Sequence, residues 1–281
     1  MTKLSPSLKA LINAPFARPN TVAAPRNIQS VYQKIKQGAE AKNVSQSSWL
    51  VLSSAATMTM NSPESLATLF QDVTSTQTPD ESVATAELMR EVGIKCISFN
   101  GIPRSINCLN AFRASLPEAV ANRLSRTPTR SPTVENLGDR LAGGRALWDS
   151  VYRPFENKLY DKLAESHPDL PVVILSGHYG ITLSDPPKRT TGANIGRVQS
   201  SLVAIACLRA QSGVGPQVLS HVFGLRKALD DGSWAKDVES EAAVRWLASD
   251  EGSTWILESV DSIVKSIGEE QGSNFAPASK L

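Results

Sequence analysis

From about Asn27 onward, apolar residues recur at spacings of three and four along most of the chain, the period that one face of an α-helix buries. Period-two alternation is scarce, so the fold expected is all-α. Ser47 to Met60 reads as a compact apolar helix, and Ser62 before Pro63 supplies an N-cap and a first-turn proline for the next. Thr78-Pro79-Asp80-Glu81 is a capping box with acids in the first turn, where the helix dipole favours them. Leu88, Val92, Cys96 and Phe99 then give a core stripe ending at Gly101. Further helices are expected from Pro103 to about Ala114, Pro117 to about Arg126, Gly144 to Ser166, Ile195 to Gln211, Pro216 to Asp230, Asp237 to Ala248 and Ser253 to Ile267. Val172 to Leu175 is strand-like, and four residues do not make a sheet.

Proline and charge divide the chain. Residues 1–29 hold Pro6, Pro15, Pro19 and Pro25, and no acid occurs before Glu40, so they read as a basic arm. Within it Leu4, Leu8, Leu11 and Ile12 lie at helical spacing beside Lys3, Lys9 and Arg18. Packing on the domain or a partner is the first reading of that pattern, and a mitochondrial presequence is the second. Residues 30–268 form the helical domain, in two halves of about 45–124 and 134–268. The Thr-, Pro- and Arg-rich stretch Ser125 to Ser131 is expected to be an exposed linker between them, and residues 269–281 a flexible tail.

Composition narrows the function classes. With 281 residues, 41% of them hydrophobic, the chain can bury a large core. Lys and Arg number 29 against 27 Asp and Glu, which leaves no broad basic field for nucleic acid. No apolar run approaches the roughly 18 to 20 residues of a membrane helix, and neither end carries a lipidation motif. With no secretory segment at the start, an intracellular, reducing compartment is expected, the cytoplasm before the mitochondrion. Cys96, Cys108 and Cys207 match neither a C-x-x-C pair nor a zinc site, and their apolar neighbours point to buried thiols.

The two halves echo each other. Residues 90–112, REVGIKCISFNGIPRSINCLNAF, and 202–224, LVAIACLRAQSGVGPQVLSHVFG, each run from an apolar helix through a glycine-proline turn into a second amphipathic helix. Two such hairpins are expected to pack together, because neither covers its own apolar face. The Arg90-Glu91 start, the Gly101-Ile102-Pro103 turn, Ile106-Asn107, Tyr179-Gly180 with Leu183-Ser184-Asp185-Pro186, and His221-Val222-Phe223-Gly224-Leu225 resemble the core of the AhpD and carboxymuconolactone decarboxylase superfamily. The resemblance covers roughly residues 45–265 and is to fungal-type members. It implies an oligomer, and the aromatic stripe of Trp148, Tyr152, Phe155 and Tyr160 is the first choice for the subunit contact, with core packing as the bland alternative. In AhpD proper the motif is C-x-x-C-x-x-x-H. Here those positions read Val214, Gln217 and His221, and only the histidine is kept. Dithiol chemistry needs two neighbouring sulfurs, so a CxxC peroxidase is excluded at that site.

His221 is the first catalytic candidate, since an imidazole with a pKa near 6.5 can give or take a proton at cellular pH. Its bland reading is a core histidine held by a backbone carbonyl. Glu91 is the second candidate. A buried carboxyl there would have its pKa raised, whereas Arg90 and Lys95 nearby favour an ion pair. Gln217, His178 and Tyr179 are the candidate ligand-binding residues, although glycines around His178 and Tyr179 also suit a plain turn. His167, His178 and His221 are scattered, so no metal site is read, and no cofactor motif emerges. The function expected is cofactor-free acid/base chemistry on a small organic acid or lactone through His221, with a pocket beside the ring. The alternative is a non-catalytic helical oligomer or subunit of a larger assembly, with an apolar surface patch and no polar-lined cavity.

Overall fold

A computed structural model describes residues 3–17 and 21–275. Arg18 and Pro19 of the arm, and residues 276–281 of the tail, lie outside them. Among the described residues there are 14 α-helices and no strand, so the fold is all-α. In chain order they are α1 (Pro6–Ile12), α2 (Ile28–Glu40), α3 (Gln46–Thr59), α4 (Pro63–Thr74), α5 (Pro79–Asn100), α6 (Ile102–Ser115) and α7 (Glu118–Ala121). There follow α8 (Leu137–Tyr152), α9 (Glu156–Ser166), α10 (Asp169–Val172), a π-helical segment (Val173–Leu183), α11 (Arg197–Gln211), α12 (Gly215–Asp230), α13 (Glu241–Leu247) and α14 (Asp250–Ile267).

Helix α3 is the axis of the core. Every residue from Ser48 to Thr59 is buried, as expected of a helix apolar nearly all round. Two of its buried hydroxyls are bonded, Thr59 donating to Ala55 O at 2.8 Å and Thr57 Oγ1 lying 2.7 Å from Tyr32 Oη, whereas those of Ser53 and Ser54 have no partner among the described residues. Around α3 pack α2, α4, α5, α11 and α14. Helices α5 and α11, the leading arms of the two echoing hairpins, also pack on each other. A single hydrophobic core runs through both halves, and Trp148, Tyr179 and Leu183 form a small second cluster between α8 and the π segment.

Local signals are realised closely. Thr78 accepts from Glu81 N at 3.3 Å while Glu81 accepts from Thr78 N at 2.8 Å, so the capping box closes in both directions. Gly101 sits at φ +76°, where a side chain would be strained, and it ends α5 where expected.

Several expectations are corrected. The single helix from Gly144 to Ser166 is two, because Pro154 has no N–H to continue the ladder and restricts Arg153 before it. The strand-like Val172–Leu175 is helical, and the π segment it enters packs on α8. That contact needs glycine: a Cβ on Gly144 would lie 2.5 Å from Gly180 Cα. Asp237 does not begin a helix; it accepts from Arg197 N at 2.7 Å and Val198 N at 2.5 Å at the start of α11. Trp148 is buried inside the chain, its ring centroid 4.3 Å from that of Tyr152 with the planes tilted by 47° and edge-on to Tyr179 at 5.2 Å, so it is not a subunit contact. The tail is tied down through Phe275. Asn274 donates to Met60 O at 2.7 Å and accepts from Arg104 Nη1 at 2.9 Å, and Arg104 lies over the Phe275 ring. In the arm, Val22 donates to Asn61 O at 2.9 Å, whereas Leu8, Leu11, Ile12 and Phe16 around α1 are exposed.

Candidate functional site

Two sites flank the π segment. The first is a cleft of about 700 Å³ between α5, α6, the stretch Ser125–Ser131 and the loop at Arg189–Ala193. Its floor is apolar, with Ile94, Leu109, Ala121 and Leu124, and its walls carry Arg90, Arg113, Arg126, Arg130 and Arg189 against Glu87 and Glu91. Five cations face two anions.

Glu91 is the hub of that wall. Arg130 grips both carboxylate oxygens, with Nη1 3.0 Å from Oε2 and Nη2 on Oε1. Arg189 grips them again at 2.9 and 3.1 Å. Burial by itself would raise the Glu91 pKa. The paired guanidiniums, with Lys95 behind them, outweigh it and hold the carboxyl below its ordinary range. Glu91 is therefore ionised and ion-paired, as the residue types around it suggested, but the partners are different. Arg90 bonds Glu87 at 3.0 Å, and the fully buried Lys95 pairs with Asp185 at 3.1 Å and donates to Leu183 O.

The expected linker is a wall of this cleft. Arg130 Nε donates to Ile181 O at 3.1 Å and Nη2 to Thr182 O at 3.3 Å, and Arg140 donates to Thr129 O at 2.7 Å. These bonds pin Ser125–Ser131 to α8 and the π segment. Glu87 also accepts from Ser125 N at 2.5 Å. In contrast, Arg113 and Arg126 are exposed and form no ion pair or hydrogen bond among the described residues.

The second site surrounds His221 on α12. The ring is buried between Phe99 and Tyr152, each with its centroid 6.1 Å away and edge-on, and its Nδ1 has no hydrogen-bond partner. Burial, helped by the charge of Arg197, pushes its pKa down to about 4. The imidazole is neutral at cellular pH. The adjoining cavity, lined by Phe99, Leu147, Tyr179, Arg197 and Ser201 among others, has a volume of about 10 Å³. Since a water needs roughly 10–15 Å³, it holds one water at most.

The candidate residues therefore separate. Glu91 lines the cleft, His221 lines the small cavity, and neither forms part of the other's wall. Tyr179 borders the His221 cavity with its hydroxyl 3.1 Å from that of Tyr152, and burial raises its pKa. His178 is half-buried, with Nδ1 3.1 Å from Ser98 Oγ, and lines neither cavity. Gln217, on the same face of α12 as His221 but one turn earlier, is exposed and does not line the histidine's cavity as expected.

All three thiols are buried. The Cys96 and Cys207 sulfurs lie 3.5 Å apart where α5 meets α11, a proximity that their distance in sequence concealed. The contact with Cys207, together with burial, raises the Cys96 pKa, and burial pushes that of Cys108 up to about 12, so thiolate is disfavoured at both. No cluster of three metal-ligating side chains occurs among the described residues.

Two further signals stand in the sequence. One is the pairing of Arg130 and Arg189 with Glu91, visible in sequence only as arginines in a Thr/Pro-rich stretch and after Pro186-Pro187. The other is the final tripeptide, Ser279-Lys280-Leu281, which at a free carboxyl terminus is a peroxisomal address read by a receptor.

Among the described residues no helix is long and apolar enough to cross a membrane. No family model matches the chain, and no solved structure matches it. It is similar to Peroxisomal protein 2 of the yeast Saccharomyces cerevisiae, at 29% identity over 178 residues. That match takes in 57% of this chain and 58% of the relative, so the chain spans a little over half the length of the protein it matches.

Proposed function

We propose that this is a helical protein of the AhpD and carboxymuconolactone decarboxylase type that binds a small organic acid in its arginine-lined cleft, and that it does so in the peroxisome. The observation that carries the binding reading is the excess of guanidinium over carboxylate around a cavity of about 700 Å³ with an apolar floor. Such a site attracts a molecule with an anionic end and a hydrocarbon body. The superfamily resemblance supplies the substrate class. The polar-lined cleft argues against the purely structural alternative, which called for none.

Proton transfer through His221 finds less support. Its cavity has no room for an organic acid. Within the cleft the acid/base candidates are Glu87 and Glu91, and both are ion-paired, so the cleft is suited to recognising the anion. Calorimetric titration at low salt with benzoate, succinate and citrate tests the reading. Saturable binding that weakens as salt is added is the expected result, and no saturable binding of any of the three overturns it.

The peroxisomal part rests on Ser279-Lys280-Leu281 together with the name of the yeast relative, and requires that Leu281 carry the free carboxylate. A fluorescent protein fused ahead of residue 1 is expected in peroxisomes, and in the cytosol once a few residues are appended after Leu281. An unchanged distribution in the capped fusion would remove this part of the reading.

A further inference from the structure

Resting on the assignment of the cleft as the ligand site, we infer that its ligand is a phosphate ester, the phosphate held at the rim by Arg113 and Arg126. The deep guanidiniums are already engaged: Arg130 and Arg189 share Glu91, and Arg90 is held by Glu87. What remains for a ligand is the rim. Arg113 projects from α6 and Arg126 from the pinned Ser125–Ser131 stretch, both into one cavity and both without a carboxylate partner among the described residues.

Two free guanidiniums carry two positive charges. A carboxylate neutralises one of them, whereas a phosphate monoester carries about −1.5 to −2 at pH 7 and presents three acceptor oxygens, enough for a fork from each arginine. The hydroxyls of Thr127 and Ser131 stand on the same wall as further donors. Behind them Ile94, Leu109 and Leu124 offer an apolar bed for the organic part. Phosphate is thus bound by side chains on two elements, without a glycine-rich phosphate loop. The Ser125–Ser131 stretch fits this use, because its arginines divide the work: Arg130 fastens the segment to Glu91 and the π segment, and Arg126 is left facing the cavity.

Phenyl phosphate and benzoate, which share an apolar body and differ in the anionic head, make the test. By calorimetry at pH 7.5 and low salt, phenyl phosphate is expected to bind at least tenfold tighter than benzoate. Lowering the pH to 5.5, below the second phosphate pKa of about 6, should shrink that advantage as the head loses charge. The double variant Arg113→Ala/Arg126→Ala should lose at least tenfold in phenyl phosphate affinity and a smaller factor towards benzoate, whose single charge engages one of the two arginines, so that the phosphate preference shrinks. Both side chains are exposed, so an unchanged melting temperature is expected to show that the variant folds. Benzoate binding as tightly as phenyl phosphate, or a double variant that binds phenyl phosphate like the parent, overturns the phosphate inference and leaves the organic-acid reading standing. If none of the carboxylates nor phenyl phosphate binds, both fall together.

Discussion

The cleft and the histidine cavity lie on either side of one π segment and solve the problem of buried polarity in opposite ways. On the cleft wall each carboxylate has a counter-charge, two guanidiniums for Glu91 and Arg90 for Glu87, and behind the wall the buried Lys95 is paired with Asp185. Charge there is retained, and space is left in front of it. At His221 the imidazole is instead neutral, since burial, helped by the charge of Arg197 on the same cavity wall, keeps it unprotonated with an unpartnered nitrogen and space for about one water. A titratable residue in an apolar hole is thus not automatically a working acid or base, and a fully paired carboxylate can organise a site without titrating in it.

Replacing the hub should have the largest effect. Glu91→Ala strands two guanidiniums, and about 3–5 kcal/mol of unfolding free energy should be lost, read by urea denaturation. Loss of less than 1 kcal/mol would mean that water already shields these groups and that the cleft is less organised than described.

The second effect is a pH dependence. The folded-state pKa of His221, about 4, lies below its ordinary 6.5, so the unfolded chain takes up the proton first. Its contribution is fully present above pH 6.5 and is lost as the pH falls toward 4, a change of about 3 kcal/mol over that window. His221→Leu should flatten that part of the stability profile. Glu91 acts in the same direction lower down, because its depressed pKa confers stability that disappears below the ordinary carboxylate range.

Gly144→Ala comes next. The added methyl meets Gly180 in the neighbouring backbone, so α8 and the π segment must separate at a cost of about 1–3 kcal/mol. Because the π segment borders the His221 cavity and its carbonyls receive Arg130, ligand affinity in the cleft should fall as well. The smallest effect on stability belongs to Arg113→Ala or Arg126→Ala, within about 0.5 kcal/mol by thermal denaturation, which separates recognition from folding.

What the sequence revealed follows from range. The capping box at Thr78, the stop at Gly101 and the buried α3 are local, each written within one helix and its flanks. The hairpins' leading helices do pack together as the echo suggested. The site was less legible. Glu91 stood out, yet its partners Arg130 and Arg189 lie 39 and 98 residues away, and the contacts that matter are made only when the chain closes. Arg126 looked like one charge in a loose linker, because nothing local in Ser125–Ser131 announces the bonds from Arg130 and Arg140 that fix it. Pro154, in contrast, was a plain local signal for the break between α8 and α9.

The claim on which the rest depends is that ligand enters the arginine cleft and not the histidine cavity. Mapping of backbone amide NMR shifts during a citrate titration tests it most directly. The account predicts perturbations concentrated at residues 87–94, 109–113, 125–131 and 189–193, with Leu147, Ser201 and His221 unmoved. Shifts centred on Leu147, Ser201 and His221, with the arginine-bearing segments silent, would contradict it.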